Sequence, residues 1–124
     1  MVIYVNDLID NIKYINISNN IMNEIQIKVD FLEDLSRDSI EFTPYSTYRR
    51  QNRHILSEWI YHCLINEELV GILKQRSYRF RLYYSHPIEP HKYDLLIVVD
   101  VFYGLLKYII VVTTYEQEIK KRVR

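Results

Sequence analysis

Residues 93–101 read YDLLIVVDV, apolar at nearly every position. No other stretch narrows the possible folds as much. A strand with one wet face alternates apolar and polar residues, whereas a strand covered on both faces is apolar almost throughout. The longest pure run, Leu95 to Val99, is far short of the roughly 20 apolar residues that a membrane-spanning helix needs. The stretch therefore predicts a central strand with material packed on both sides.

The neighbouring segments supply its partners. SYRFRLYY alternates, with Tyr78, Phe80, Leu82 and Tyr84 on one face and Ser77, Arg79, Arg81 and Tyr83 on the other. SHPIEPHK reads as a loop, FYGL offers Gly104 for a hairpin turn, and KYIIVVTTY reads as a returning strand. EQEIKKRVR reads as a short basic helix or a frayed end.

Between Thr43 and Gly71 the period is helical. Thr43 is placed as an N-cap and Pro44 suits the first helical position, which predicts a helix from Pro44 to about His54. Ser57 is placed to cap a second helix that turns Trp59, Ile60, Cys63 and Leu64 inward and ends before Gly71. Nearer the start, Asn6 is placed to cap a helix running to about Ile15, and NISNN breaks it. EIQIKVDF alternates as a half-buried strand, although Ile25, Val29 and Leu32 also fit helical spacing. EDLSRD is a turn-like connection, and IEFT a short extended piece. The order predicts an α+β domain: N-terminal helices packed on a three- to five-stranded, mainly antiparallel sheet.

At 124 residues and 48% hydrophobic content, the chain reads as a single domain, 1–124, with an ordinary core. Its one cysteine, Cys63, has no intrachain disulfide partner, which points to a reducing, cytoplasmic setting. Cys63 on an inward helix face reads as core rather than nucleophile. Asp7 and Asp10 argue against a signal peptide, and no membrane role is expected. The formal net charge is zero but segregated: residues 1–44 hold 8 acids against 3 bases, and the remainder holds 13 bases against 8 acids. That split suggests a basic, polyanion-binding body with an acidic extension, or ordinary surface charge that happens to segregate.

Two groups of residues carry candidate chemistry. On a helix, Arg49 lies about 40° and Arg53 about 80° from Tyr45, so all three share a face. Arginine forks suit phosphate, and tyrosine stacks on bases. Ion pairs to the acidic first third, or a solvated face, are the plain alternatives. The second group is Arg79, Arg81 and Tyr83 on one strand face, followed by His86, with an exposed sheet face paired to residues such as Asp100 as its alternative. His86, Glu89 and His91 have a spacing that weakly suits a metal, and histidine also suits acid–base work near neutrality. His54 and His62 read as surface or boundary residues. No phosphate loop, nucleophile elbow or CxxC is present, so no cofactor is expected.

The order of these features resembles a small family of bacterial and archaeal domains with the signature H-A-x-x-R-M-x-x-R-x-I, related to the RelE/ParE-type and BrnT-type toxins of toxin–antitoxin modules. This chain reads Y-S-T-Y-R-R-Q-N-R-H-I from Tyr45 to Ile55, so Arg49, Arg53 and Ile55 match. Ser57, RFRLYY at Arg79 to Tyr84, LLIVVD at Leu95 to Asp100 and VVTTY at Val111 to Tyr115 also match. The resemblance covers roughly residues 40–116, leaving an acidic extension over 1–39 and a basic tail over 117–124. It implies an RNA-binding α+β core whose RelE and BrnT relatives cleave RNA without metal, using the 2′-hydroxyl as nucleophile and cationic side chains to stabilise the transition state. It also implies an antitoxin-like protein partner or self-association. Arg49, Arg53, Arg79 and Arg81 would bind phosphate beside Tyr45 and Tyr115. Catalysis would draw on Arg49, Arg53 and Arg81, with Tyr83, His86 or Tyr115 moving protons. Tyr45 stands where the family has His, and Arg50 where it has Met, so binding follows more directly than catalysis. The acidic extension is expected to cover the basic cleft or to offer a docking surface, and a cover implies that deleting residues 1–38 strengthens RNA binding.

Overall fold

A computed structural model describes residues 2–4 and 30–122. Its strands are β1 (Ile3–Tyr4), β2 (Ile40–Phe42), β3 (Gly71–Lys74), β4 (Arg79–Ser85), β5 (Tyr93–Phe102) and β6 (Tyr108–Glu118). Two helices, α1 (Pro44–Asn52) and α2 (Ser57–Asn66), lie between β2 and β3. The strands form one sheet in the order β1-β3-β4-β5-β6-β2. All pairs are antiparallel except β2 with β6. The class is α+β, as expected, with β3 and the two-residue β1 widening the sheet.

β5 earns its central place from both faces. Leu95, Ile97, Val99 and Val101 enter the main core with Ile60, Cys63 and Leu64 of α2. Leu96 points the other way and packs with Tyr4 and Tyr83. The almost unbroken apolar run is thus a strand that has no wet side.

The β5–β6 pairing contains one irregularity. Val98 sits opposite Thr113, but Val99 sits opposite Val111, so Val112 is an extra, unmatched residue. This bulge reverses the alternation of β6. Ile109 and Val111 lie in the main core, while Thr113 and Tyr115 lie on the opposite face with Val98 and Leu96.

α1 begins as its sequence predicts. The Thr43 hydroxyl accepts from the Ser46 N–H at 2.9 Å, and Pro44 occupies the first turn. The helix ends two residues before the expected His54, because His54 adopts a left-handed φ of 56°. The Ile55 N–H then bonds back to the Arg50 carbonyl at 3.0 Å, and Ile55 drops into the core. Ser57 is not a cap. It is the first residue of α2, whose N-cap is Leu56 and carries no side-chain cap bond.

The expected helix from Asn6 to Ile15, and the expected strand from Glu24 through residue 29, lie outside the described residues. Phe31, the end of that strand, sits in a turn instead, buried 5.1 Å from the ring of Phe80. Leu35 is buried in the same core. A cut at residue 38 therefore removes core side chains and not only acidic surface. β3 went unforeseen because its four residues follow a helix with no turn signal except Gly71 itself. Gly104 lies in a loop over residues 103–107 but has no positive φ, and Lys107 fastens that loop to the Asp30 and Glu33 carbonyls at 3.1 and 2.6 Å. Of EQEIKKRVR, expected as a short basic helix or a frayed end, residues 116–118 extend β6 and Ile119–Lys121 form a short 3-10 turn.

Thr43→Ala removes the cap of α1 while leaving the core intact. Its expected cost is about 1 kcal/mol of stability, measured by urea unfolding.

Candidate nucleic-acid interface

Side chains that face away from α2 form the candidate site. Because α1 follows β2, which pairs with Ile109–Val111, it runs on against the later part of β6. Its last turn delivers Arg53 to that strand. One Arg53 guanidinium nitrogen donates to the Thr113 hydroxyl at 3.2 Å and to the Thr114 carbonyl at 2.5 Å. The same guanidinium lies 5.8 Å from the centre of the Tyr115 ring.

Arg81 reaches the same ring from β4, also at 5.8 Å. The two guanidinium carbons are therefore separated by no more than twice that distance. Arg81 also donates weakly to the Tyr83 hydroxyl at 3.5 Å. Tyr83 is buried and packs edge-on against Tyr4 of β1, with ring centres 5.6 Å apart. Four of the expected site residues, Arg53, Arg81, Tyr83 and Tyr115, thus come together. Tyr45 and Arg49 form a neighbouring pair one to two turns back along α1, with the Arg49 guanidinium 5.8 Å from the Tyr45 ring.

Partnering divides the arginines into two classes. Arg37 is bidentate to Glu58, Arg79 to Asp100 at 2.6 and 2.9 Å, and Arg122 to Asp94 at 2.6 and 2.5 Å. Among the described residues, no carboxylate lies within ion-pair distance of Arg49, Arg53 or Arg81. The Nε atoms of Arg49 and Arg81 are buried without a hydrogen-bond partner. Arg79 is held in the cross-strand pair that its register with Asp100 dictates. The phosphate-binding set suggested by sequence loses that member to an ion pair.

His86 is likewise separated from the cluster. It continues the alternation of Phe80, Leu82 and Tyr84 and lies on the α2 side, buried 5.0 Å from the Trp59 ring. Its Nδ1 accepts the N–H groups of Ile88 and Glu89, both at 3.1 Å. Those donors leave the proton on Nε2, which sits 2.8 Å from a Glu116 carboxylate oxygen, though not aligned as a hydrogen bond. Such a histidine shapes the 86–89 loop. His91 is exposed, and among the described residues no three ligating side chains gather as a metal site.

Burial pushes the Tyr115 phenol above the ordinary tyrosine value. Arg81 and Arg53 pull it partly back, and Tyr83 pushes it up. At neutral pH Tyr115 is therefore a neutral phenol, able to donate a proton or a hydrogen bond. Cys63 is buried, and desolvation drives its thiol up to about 12, which removes it as a nucleophile at neutral pH. The residue the sequence reading missed is Thr113, which fixes Arg53. Its signal was present in the T-x-Y spacing, since Thr113 and Tyr115 share a strand face.

Comparison with family models, curated proteins and solved structures returns no match. Among the described residues, no helix is long and apolar enough to cross a membrane.

Removing a cation beside a phenol disfavours the phenolate. Arg81→Met should move Tyr115 ionisation to still higher pH. A pH titration of carbon-13-labelled tyrosine by NMR, with Tyr115→Phe to assign the signal, reads the change.

Proposed function

We propose that the chain is an RNA-binding domain of toxin type, RelE- or BrnT-like, in which Arg53, Arg81 and Tyr115 hold the phosphodiester backbone. The observation that carries this reading is the division of the arginines. In a chain of zero net charge, the arginines around Tyr115 and Tyr45 lack carboxylates among the described residues, whereas Arg37, Arg79 and Arg122 are each matched to an acid; Arg50 and Arg76 also have no acid partner there. Half-buried guanidinium groups without a carboxylate partner are well suited to an arriving anion.

The same reading extends to metal-independent RNA cleavage. Solvent water takes the proton of the 2′-hydroxyl as its oxygen attacks phosphorus, the bond to the 5′-oxygen breaks, and negative charge builds on the non-bridging oxygens. Arg53 and Arg81 suit the stabilisation of that charge. Tyr115, a neutral phenol between them, suits protonation of the leaving 5′-oxygen, a role that the buried position of His86 takes away from histidine. Arg49 and Tyr45 extend the binding surface along α1. The proposed setting is cytoplasmic, with an antitoxin-like protein as regulator.

Fluorescence anisotropy with a labelled RNA 12-mer tests the binding. Arg53→Ala and Arg81→Ala should each lower affinity about tenfold and reduce the slope of log affinity against log salt by about one. Arg79→Ala should leave affinity within about twofold. Full affinity in both Arg53→Ala and Arg81→Ala would sink the reading. RNA cut in EDTA by the wild type, and not by Arg81→Ala, adds the enzyme; uncut RNA leaves a binding domain.

One observation favours a second reading, a protein-interaction module. Tyr103, Leu105 and Leu106 project from the β5–β6 loop, and Leu105 is fully exposed. An antitoxin-like protein or a second copy would bury them. A complex or dimer lost in Leu105→Glu, with RNA affinity absent throughout, selects this module.

A further inference from the structure

The cluster around Tyr115 does not end at Arg53. Along the same face of α1 come Arg49 and then Tyr45, four residues apart at each step. With a rise of about 1.5 Å per residue, Tyr45 and Arg53 are about 12 Å apart along the helix axis. Stacked nucleotides advance by roughly 3.4 Å each, so more than one nucleotide fits along this line. The order of chemistry is aromatic, cation, cation, aromatic, cation: Tyr45, Arg49, Arg53, Tyr115, Arg81.

Tyr45 and Tyr48 are the exposed tyrosines of α1, and Tyr45 lies on the face that carries the arginines. Its ring is 61% exposed at the start of a helix, with the Arg49 guanidinium 5.8 Å away. It contributes nothing to either hydrophobic core. An exposed aromatic ring beside arginines offers a platform for a nucleobase. In a duplex the base faces are already stacked on each other, and only the backbone and groove edges reach a protein. An unpaired strand presents both its phosphates and its base faces.

The geometry points to single-stranded RNA as the ligand of this face, with Tyr45 as an outer residue that stacks on a base beyond the arginine-held phosphates. This inference rests on the RNA-binding reading above and narrows it. The arginines supply affinity that falls with salt, and Tyr45 supplies affinity that does not.

Anisotropy titrations on the full chain test it, with a labelled unstructured RNA 12-mer and the same 12-mer annealed to its complement. The expected result is single-strand binding at least about tenfold tighter than duplex binding at equal salt. Tyr45→Ala should weaken single-strand binding by about tenfold, as loss of one base stack does. It should leave the salt slope and the duplex affinity unchanged, and Tyr45→Phe should restore the single-strand affinity. Equal affinity for the two RNAs, or full single-strand affinity in Tyr45→Ala, overturns the inference while the RNA-binding reading stands. Failure of the wild type to bind either RNA overturns both. Because the Tyr45 ring is exposed, its replacement leaves the core untouched, and a matching circular dichroism spectrum of Tyr45→Ala verifies this.

Discussion

The architecture depends on the pairing of β5 along both of its edges. All ten residues of β5 pair with β6 on one side, seven of them (Asp94 to Asp100) also pair with β4 on the other, and apolar side chains leave the strand in both directions. Burial of that strand requires α2 over one face and the Tyr4, Tyr83 and Leu96 cluster over the other. Every element of the candidate site hangs on this ladder. Arg81 is aligned by β4, Tyr115 by β6, and Arg53 by the helix that continues from β2 past the edge of β6.

Charge pairing then separates structural arginines from available ones. Asp94 is fully buried, and a buried carboxylate without a cation is strongly unfavourable, so Arg122 is bound to it. Asp100 and Arg79 face each other across strands and satisfy one another. Arg81 lies two residues further along β4, opposite Val98 and Leu73, where no acid is within reach. Its guanidinium lies beside the Tyr115 ring and the Tyr83 hydroxyl instead. Two arginines on one strand face thus differ in their partners because of what the neighbouring strands place opposite them.

That difference marks the limit of what the sequence discloses. The central strand, the Thr43 cap and the inward residues of α2 follow from local pattern, and all are legible. The pairing of Arg79 needed the register of β4 against β5, for which the sequence offered Asp100 only as one alternative. The position of His86 was within reach: counting from Phe80 through Leu82 and Tyr84 places it on the core side, once β4 is known to run straight into the loop. The core contribution of Phe31 was hidden by an alternating pattern that suggested a strand, and the start of α2 by a serine that resembles a cap. Tyr115 was the least legible, because simple alternation along β6 puts it on the same face as Ile109 and Val111.

The bulge at Val112 corrects that alternation, and it makes the site a matter of counting. The spacing between the core residue Val111 and the arginine-facing residue Tyr115 works only because one residue has no cross-strand partner. Identity at position 112 is therefore lightly constrained, since its side chain is only half-buried and faces no matched neighbour. Register beyond that point is strictly constrained. The same sequence paired without the bulge would set Thr114, and not Tyr115, opposite Leu96, whereas loss of residue 112 itself would straighten the pairing and leave Tyr115 where it is. A one-residue slip of β6 would thus strip the arginine-bearing face of its aromatic centre without a single substitution, so the register of β6, and not the residue at 112, decides what that face displays.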